Sequence, residues 1–135
     1  MGDAHLSIDS VIELGLELAG VIESAYYGVR ALKLHGRMLA CAPVNKSAEV
    51  NSAVVAMGFE QRAALLKKHP SLYYITDHYA SHPTVLIRLS KMSRAGVERT
   101  LRMAWDFVSS EAAAKPATPR QSKARLRKAS GKSNS

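Results

Sequence analysis

The sequence predicts an α+β fold, a two-layer sandwich in which helices cover one face of a five-stranded, mainly antiparallel sheet. Three observations favour this fold. Five short segments alternate apolar with polar residues or are rich in β-branched and aromatic residues, as strands are. The first two segments are joined by a two-residue turn, which suits antiparallel neighbours. Three other segments have the apolar periodicity of helices that pack on a sheet.

The first predicted element is an amphipathic helix of about a dozen residues in the segment IDSVIELGLELAG. Ser7 is a suitable N-cap, and Gly20 lies near the expected end of the helix. Gly15 falls inside it, where a glycine costs about 1 kcal/mol relative to alanine. The acids recur every four residues on the predicted solvent side, at Asp9, Glu13 and Glu17.

The next predicted elements are three strands and a helix. In GVRALKL the leucines alternate with polar residues, and after a tight turn at His35-Gly36 the chain returns as RMLACA. EVNSAVVAM is the third predicted strand. The segment FEQRAALLKKH has helical spacing, and Pro70 ends it.

The remaining elements are two strands and a long helix. SLYYIT and TVLIRLS are predicted as the fourth and fifth strands, joined by the connecting loop DHYASHP. Ser93 is the expected N-cap of the helix RAGVERTLRMAWDFVSSEA, whose apolar residues form one stripe.

The positive charge of the chain is concentrated at its C-terminal end. Residues 115–135 contain seven lysines and arginines and no acids, whereas the net charge of the whole chain is +8, so the rest is close to neutral. This stretch contains one large aliphatic residue, Leu126, which is too little to offset the entropy of ordering it. We therefore predict one folded domain over residues 1–112 and a disordered basic tail over residues 113–135.

Candidate catalytic and metal-binding residues do not form a recognisable set. Asp77, His78 and His82 fall in the predicted loop without a further fixed ligand and its supporting contacts. Cys41 lies between two alanines in a strand, where a buried thiol is expected rather than a nucleophile. No glycine-rich phosphate loop or nucleophile elbow is present. We expect no enzyme activity, no metal and no cofactor.

The composition and the apolar segments also indicate the cellular compartment of the protein. A single cysteine gives no disulfide framework. The N-terminal segment lacks a basic region followed by an apolar stretch, and no apolar run approaches the roughly 18 residues of a membrane span. We expect a cytoplasmic protein with no membrane attachment, either a monomer or a weak homodimer.

An ordered series of segments resembles the MmcQ/YjbR-like family of small bacterial α+β domains. LKLHGRMLACA is similar to the strand–turn–strand of that family, EQRAALLKKHPSLYYITDHYASHPTVLIRL to its helix and following strands, and VERTLRMAWDFV to its closing helix. The resemblance covers residues 26–108. It implies a double-wing architecture, on the strength of which the family is labelled DNA-binding.

The predicted function is weak, largely sequence-nonspecific binding to DNA or another polyanion. Lysine and arginine neutralise phosphates and release counterions without reading sequence. Lys33, His35, Arg37 and Arg88 are expected to lie near one another on the solvent face of the sheet, with Lys91 and Arg94 at the rim. The His35-Gly36-Arg37 turn is the candidate wing tip. The predicted contacts are Lys33, His35, Arg37, Arg88, Lys91, Lys115, Arg120, Lys123, Arg125, Arg127, Lys128 and Lys132.

A function of another class fits the same sequence. The second face of the sheet could dock a protein or a small ligand, and such binding would depend little on salt and would survive loss of the tail.

Overall fold

The computed structural model describes residues 6–114, which form a six-stranded sheet with four α-helices. All pairings in the sheet are antiparallel, and the strand order is β1-β2-β3-β4-β6-β5. The α+β class and the antiparallel sheet are as predicted, with six strands instead of five. The elements are α1 Ile8–Gly15, β1 Ile22–Tyr26, β2 Val29–Leu34, β3 Arg37–Cys41, β4 Ser52–Ala56, α2 Phe59–Lys68, β5 Tyr73–Tyr74, α3 Asp77–Ala80, β6 Thr84–Arg88 and α4 Arg94–Ala114.

The additional strand belongs to a hairpin at the start of the sheet. β1 pairs with β2 across a turn at Tyr27-Gly28, whose φ angles are 51° and 83°. The predicted turn at His35-Gly36 is confirmed, with φ angles of 54° and 76°. Two successive residues with positive φ are the mark of a type I′ turn, whose twist matches that of antiparallel strands. Two hairpins of the same kind therefore join β1, β2 and β3.

Three predicted segments differ in extent or type. Helix α1 ends at Gly15, because the chain then turns through hydrogen bonds from Leu18 N to Gly15 O and from Val21 N to Leu18 O. The fourth predicted strand is reduced to Tyr73–Tyr74. The predicted loop before β6 contains the single-turn helix α3.

The main core lies between one face of the sheet and three helices. Leu32, Leu39 and Ile87 from the strands are fully buried against α1, α4 and the partly buried leucines of α2. Ser93 caps α4 as predicted, since its Oγ accepts a hydrogen bond from Gly96 N at 3.0 Å. Trp105 in α4 donates from Nε1 to the Ala19 carbonyl at 2.8 Å, which fixes the helix to the α1–β1 turn.

The second face of the sheet carries a smaller core under α3. Ala31, Cys41, Val54 and Leu86 project from four strands and pack with Tyr79 of α3, which is 5% exposed. The three predicted helices pack on one face of the sheet, whereas α3, which was predicted as a loop, packs on the other. Tyr79 is the one buried residue of this single-turn helix, and its ring carries enough apolar surface to hold α3 on the sheet.

The C-terminal helix passes the predicted domain boundary at residue 112 and continues to Ala114. The rest of the predicted disordered tail lies outside the described residues. Within residues 6–114, no helix combines the length and the apolarity that a membrane crossing requires.

Candidate functional site

Three of the predicted basic contacts lie together at the β2–β3 hairpin. Lys33 pairs in register with Met38, and Leu34 with Arg37, so Lys33, His35 and Arg37 are neighbours around the turn. His35 is exposed at the tip, while Lys33 and Arg37 are half-buried. The candidate wing tip is thus a real hairpin with cations on both of its strands.

Arg88 lies in another part of the sheet, so the four residues do not form the single basic surface that was expected. Arg88 is at the end of β6, opposite Ser52. Strands β2 and β6 are separated by β3 and β4, which places them about 14 Å apart at about 4.8 Å per strand. Lys91 lies in the same region as Arg88, since the charges of both residues lower the pKa of Glu49.

The Arg88 guanidinium is held by groups of its own fold. Its Nε and Nη2 form a bidentate pair with the Glu49 carboxylate at 2.8 and 2.9 Å. Its Nη1 donates to the carbonyl oxygens of Pro70 and Ser71 at 3.0 and 3.2 Å, and its Cζ lies 4.4 Å from the centre of the Tyr74 ring. The hydrogen bond from Arg88 lowers the pKa of Glu49. Arg88 is therefore better suited to joining β6 to its neighbours than to contacting a phosphate.

The described residues form a groove of about 730 Å³. Val54 belongs to the smaller core and Met38 packs on that core. Both residues line the groove, together with residues near the end of α4. Volumes of roughly 300–1,000 Å³ with mostly apolar walls are typical of sites for small molecules. Sequence reasoning missed this groove, although it had treated the second face as a possible docking surface.

One side of the groove is formed by the turn between β1 and β2. Tyr26 and Tyr27 both line it. Their rings meet edge to face, with 4.6 Å between the centroids and 76° between the planes. Tyr27 is 81% exposed, an unusual exposure for a large aromatic side chain held in a tight turn. The turn therefore contributes an exposed aromatic ring to the lining of the groove.

Another side of the groove is formed by α3 and the chain that follows it. His78 and Tyr79 pack edge to face with 4.8 Å between their ring centroids, and both line the groove together with His82. The Tyr79 hydroxyl accepts a hydrogen bond from Asn45 N at 3.2 Å. The buried Tyr79 thus fixes α3 on the sheet and holds the two exposed histidines at the groove.

Arg62 of α2 fixes the same segment from its other side. It donates to the carbonyl oxygens of Ala80, His82 and Thr84 at 2.9, 2.9 and 3.1 Å. Hydrogen bonds from a charged donor are stronger than neutral ones, and these three bind consecutive parts of the α3–β6 connection. Arg62, which does not line the groove, therefore helps Tyr79 to position this wall.

The polar groups of the groove are few and of mixed character. Thr84 is 6% exposed, and its hydroxyl has no hydrogen-bond partner among the described residues. Arg37 supplies donors, whereas Glu111 near the end of α4 supplies a carboxylate. Such a site offers both donors and acceptors to a ligand inside a largely apolar enclosure.

No chemistry of a metal or a nucleophile is evident at this face. No group of three or more His, Cys, Asp or Glu residues lies close enough to hold a metal ion within residues 6–114. Cys41 is buried in the smaller core, and its burial was predicted; desolvation raises the pKa of its thiol from 9.0 to about 11.

We expect Cys41 to react with a thiol reagent much more slowly in the folded chain than in denaturant. The two-unit rise in pKa lowers the thiolate fraction about 100-fold near pH 8, and burial lowers access further. The measurement is the rate of modification by a chromogenic disulfide reagent, with the denatured chain as the control. Equal rates in the two states would contradict this placement of Cys41.

Comparison with known proteins identifies a similar fold. No family model matches the chain, and none of the curated proteins matches it. The chain is similar to the crystal structure of DR2400 from Deinococcus radiodurans, a protein with a DUF419 domain. The TM-score is 0.63, with 15% identity over 82% of this chain and 84% of that chain. At this identity the likeness concerns the fold alone. Because DUF419 belongs to the YjbR/MmcQ-like fold family, the resemblance seen in the sequence is supported at the level of the fold.

Proposed function

We propose that this chain is a non-enzymatic, cytoplasmic member of the MmcQ/YjbR-like family that binds nucleic acid weakly and largely without sequence preference. The observation that carries the proposal is the distribution of charge. Seven of the 19 lysines and arginines lie in residues 115–135, while all 11 acids lie in the remainder, where they nearly balance the other cations. A dense run of cations favours any polyanion through counterion release.

Within the described residues, the β2–β3 hairpin is the second part of the proposed interface. Lys33, His35 and Arg37 stand at one end of the sheet, and the exposed tip fits a surface contact to a phosphate backbone. Phosphate contacts of this kind position a protein without reading bases. Lys91 is a further proposed contact, whereas Arg88 is assigned to the fold.

The test is a salt series of binding to a short duplex by the full-length chain and by a full-length variant with an uncharged tail. If all seven cations of residues 115–135 contact phosphates, the slope of log K against log salt should be about −6, and the variant should lose most of it. The variant carries Lys115→Gln, Arg120→Gln, Lys123→Gln, Arg125→Gln, Arg127→Gln, Lys128→Gln and Lys132→Gln.

The hairpin has a matched control on α2. Lys33→Gln with Arg37→Gln should reduce the salt slope by about two, whereas Lys67→Gln with Lys68→Gln, which removes two exposed cations elsewhere, should change it by less than one. Absence of duplex and single-strand binding by the full-length chain at low salt would overturn the proposed function. Equal effects of the two double variants would remove the hairpin from the interface.

The groove favours a second candidate, a module that binds a small ligand through the second face of the sheet. Its volume of about 730 Å³ and its aromatic walls are the observations in favour. Binding of this kind depends on apolar contact and hydrogen bonds, so it should persist at a salt concentration that abolishes the contribution of the tail.

A further inference from the structure

We propose that the groove on the second face of the sheet binds a nucleobase, carried either by a free nucleotide or by a single-stranded nucleic acid. The base would lie among the aromatic side chains of the β1–β2 turn and α3, with its polar edge towards Thr84. Only the polymeric source of the base rests on the proposed function, since a free nucleotide needs no basic tail.

The aromatic rings suit a flat ligand with two π-faces. Tyr27 offers an exposed ring on one side of the groove, and its edge-to-face contact with Tyr26 keeps that ring oriented. His78 is held in the same way against the buried Tyr79. The turn comes from the β1 edge of the sheet, whereas α3 packs near β6, so these rings approach the groove from different sides. Bases stack on such side chains regardless of sequence.

Phe107 provides a further flat wall at the end of the groove next to α4. A Cβ atom placed on Gly58 would lie 3.3 Å from Phe107 Cδ1, so the ring packs closely over the backbone at the start of α2. This contact restricts the rotamers of Phe107, which lines the groove. A ring that is already ordered loses little entropy when a ligand stacks on it.

The Thr84 hydroxyl distinguishes a base from a purely apolar ligand. Its residue is 6% exposed and the hydroxyl lacks a partner among residues 6–114, although buried hydroxyls are almost always hydrogen-bonded. Thr84 lines the groove, but its oxygen is not accessible there, so the side chain must rotate about χ1 before a ligand with a polar edge can satisfy the hydroxyl. A hydrocarbon would leave the hydroxyl unsatisfied. The hydroxyl can donate or accept, so it can serve any base.

The charges of the lining distinguish a base from a simple anion. Arg37 would attract a carboxylate or phosphate, but Glu111 lines the same groove and would repel it. The edge of a nucleobase carries donors and acceptors side by side, which complements an arginine and a carboxylate together. The groove is also larger than one base requires, which leaves room for the attached sugar.

The first experiment titrates the isotope-labelled, full-length chain with each of the four ribonucleoside monophosphates, with ribose 5-phosphate and with benzoate, followed by amide chemical shifts. We expect the nucleotides to shift the resonances of His78, Thr84 and Phe107 more strongly than ribose 5-phosphate or benzoate does. Equal shifts with ribose 5-phosphate, or no shifts in the groove at millimolar nucleotide, would overturn the proposal.

Two substitutions and two controls locate the base. Tyr27→Asn removes the ring and keeps an Asn-Gly pair suited to the type I′ turn, and it should weaken nucleotide binding about tenfold. Thr84→Val keeps the shape and removes the hydroxyl, with an expected loss of about fivefold. Tyr27→Phe should retain most of the affinity. Phe59→Ala, which removes a half-exposed ring on α2 outside the groove, should leave it unchanged. A loss with Phe59→Ala as large as with Tyr27→Asn would place the base elsewhere.

The source of the base is decided with the full-length variant whose tail cations are glutamine. A polymeric source predicts that a single strand binds this variant more tightly than the duplex of the same sequence, and that Tyr27→Asn removes the preference. A free nucleotide as the source predicts nucleotide binding without that preference. The groove proposal is supported in either case. If duplex binding is lost as the salt concentration rises but no nucleotide binds in the groove, the proposed function is retained and the nucleobase proposal is overturned.

Discussion

Replacing Leu32 with alanine is expected to lower the free energy of unfolding by about 3 kcal/mol or more. Leu32 is 0% exposed in the middle of β2 and packs under α1. The removed atoms lose their burial, and the rigid elements around them can close the cavity only in part. Urea unfolding followed by circular dichroism measures the change. Leu16→Ala, at a leucine that is 44% exposed, is the matched control and should cost less than about 1 kcal/mol.

The same contact explains the glycine inside α1. A Cβ atom on Gly15 would lie 2.1 Å from Leu32 Cδ1, so the helix approaches the strand at a distance that alanine does not allow unless Leu32 moves. Gly15→Ala should gain about 1 kcal/mol in helix propensity and lose about 1–3 kcal/mol to overpacking. We expect a net loss in the parent chain and a net gain in the Leu32→Ala chain. Additive effects would show that α1 and β2 are not closely packed at this point.

The features that sequence reasoning predicted well are those that depend on neighbouring residues. The His35-Gly36 turn, the Ser93 cap and the apolar alternation of β2 each follow from a few consecutive side chains, and the structure contains all three. The turn at Tyr27-Gly28 was missed although it has the same pattern, a residue before glycine between strand-forming segments. The same pattern rule would therefore have predicted the β1–β2 hairpin.

The groove and the partners of Arg88 depend instead on contacts between distant residues. Tyr27, Met38, His78 and Phe107 come from four separate elements, and only the folded sheet brings them to one groove. Arg88 and Glu49 are 39 residues apart along the chain. Nothing in the local pattern of β6 distinguishes an arginine that faces solvent from one that binds a carboxylate, so the sequence did not reveal that Arg88 pairs with Glu49.

Replacing Arg88 with alanine is expected to lower the free energy of unfolding by about 2–3 kcal/mol and to leave nucleic-acid binding nearly unchanged. The substitution removes the bidentate pair with Glu49, two hydrogen bonds to the carbonyls of Pro70 and Ser71, and the contact with the Tyr74 ring. The estimate is moderate because the Arg88 and Glu49 side chains are 22% and 50% exposed, and water screens the pair.

Three further variants separate the parts of this contact. Arg88→Lys keeps the charge but lacks the planar fork, so it should recover less than half of the lost stability. Glu49→Gln should cost less than about 1 kcal/mol, since the contacts of Arg88 to the carbonyls and the ring remain. Arg94→Ala removes a cation whose pair with Glu13 spans 3.8 Å at the surface, and should cost less than about 0.5 kcal/mol.

Binding of a short duplex at low salt decides between the structural role and the interface for Arg88. If Arg88 serves the fold, Arg88→Ala and Arg94→Ala should weaken binding to the same small extent, because each removes one charge from the long-range field. If Arg88→Ala weakens binding several-fold more than Arg94→Ala while unfolding is unaffected, Arg88 contacts phosphate. The contact with Glu49 would then have to open on binding, and the pKa of Glu49, which the hydrogen bond from Arg88 lowers in the free protein, should rise.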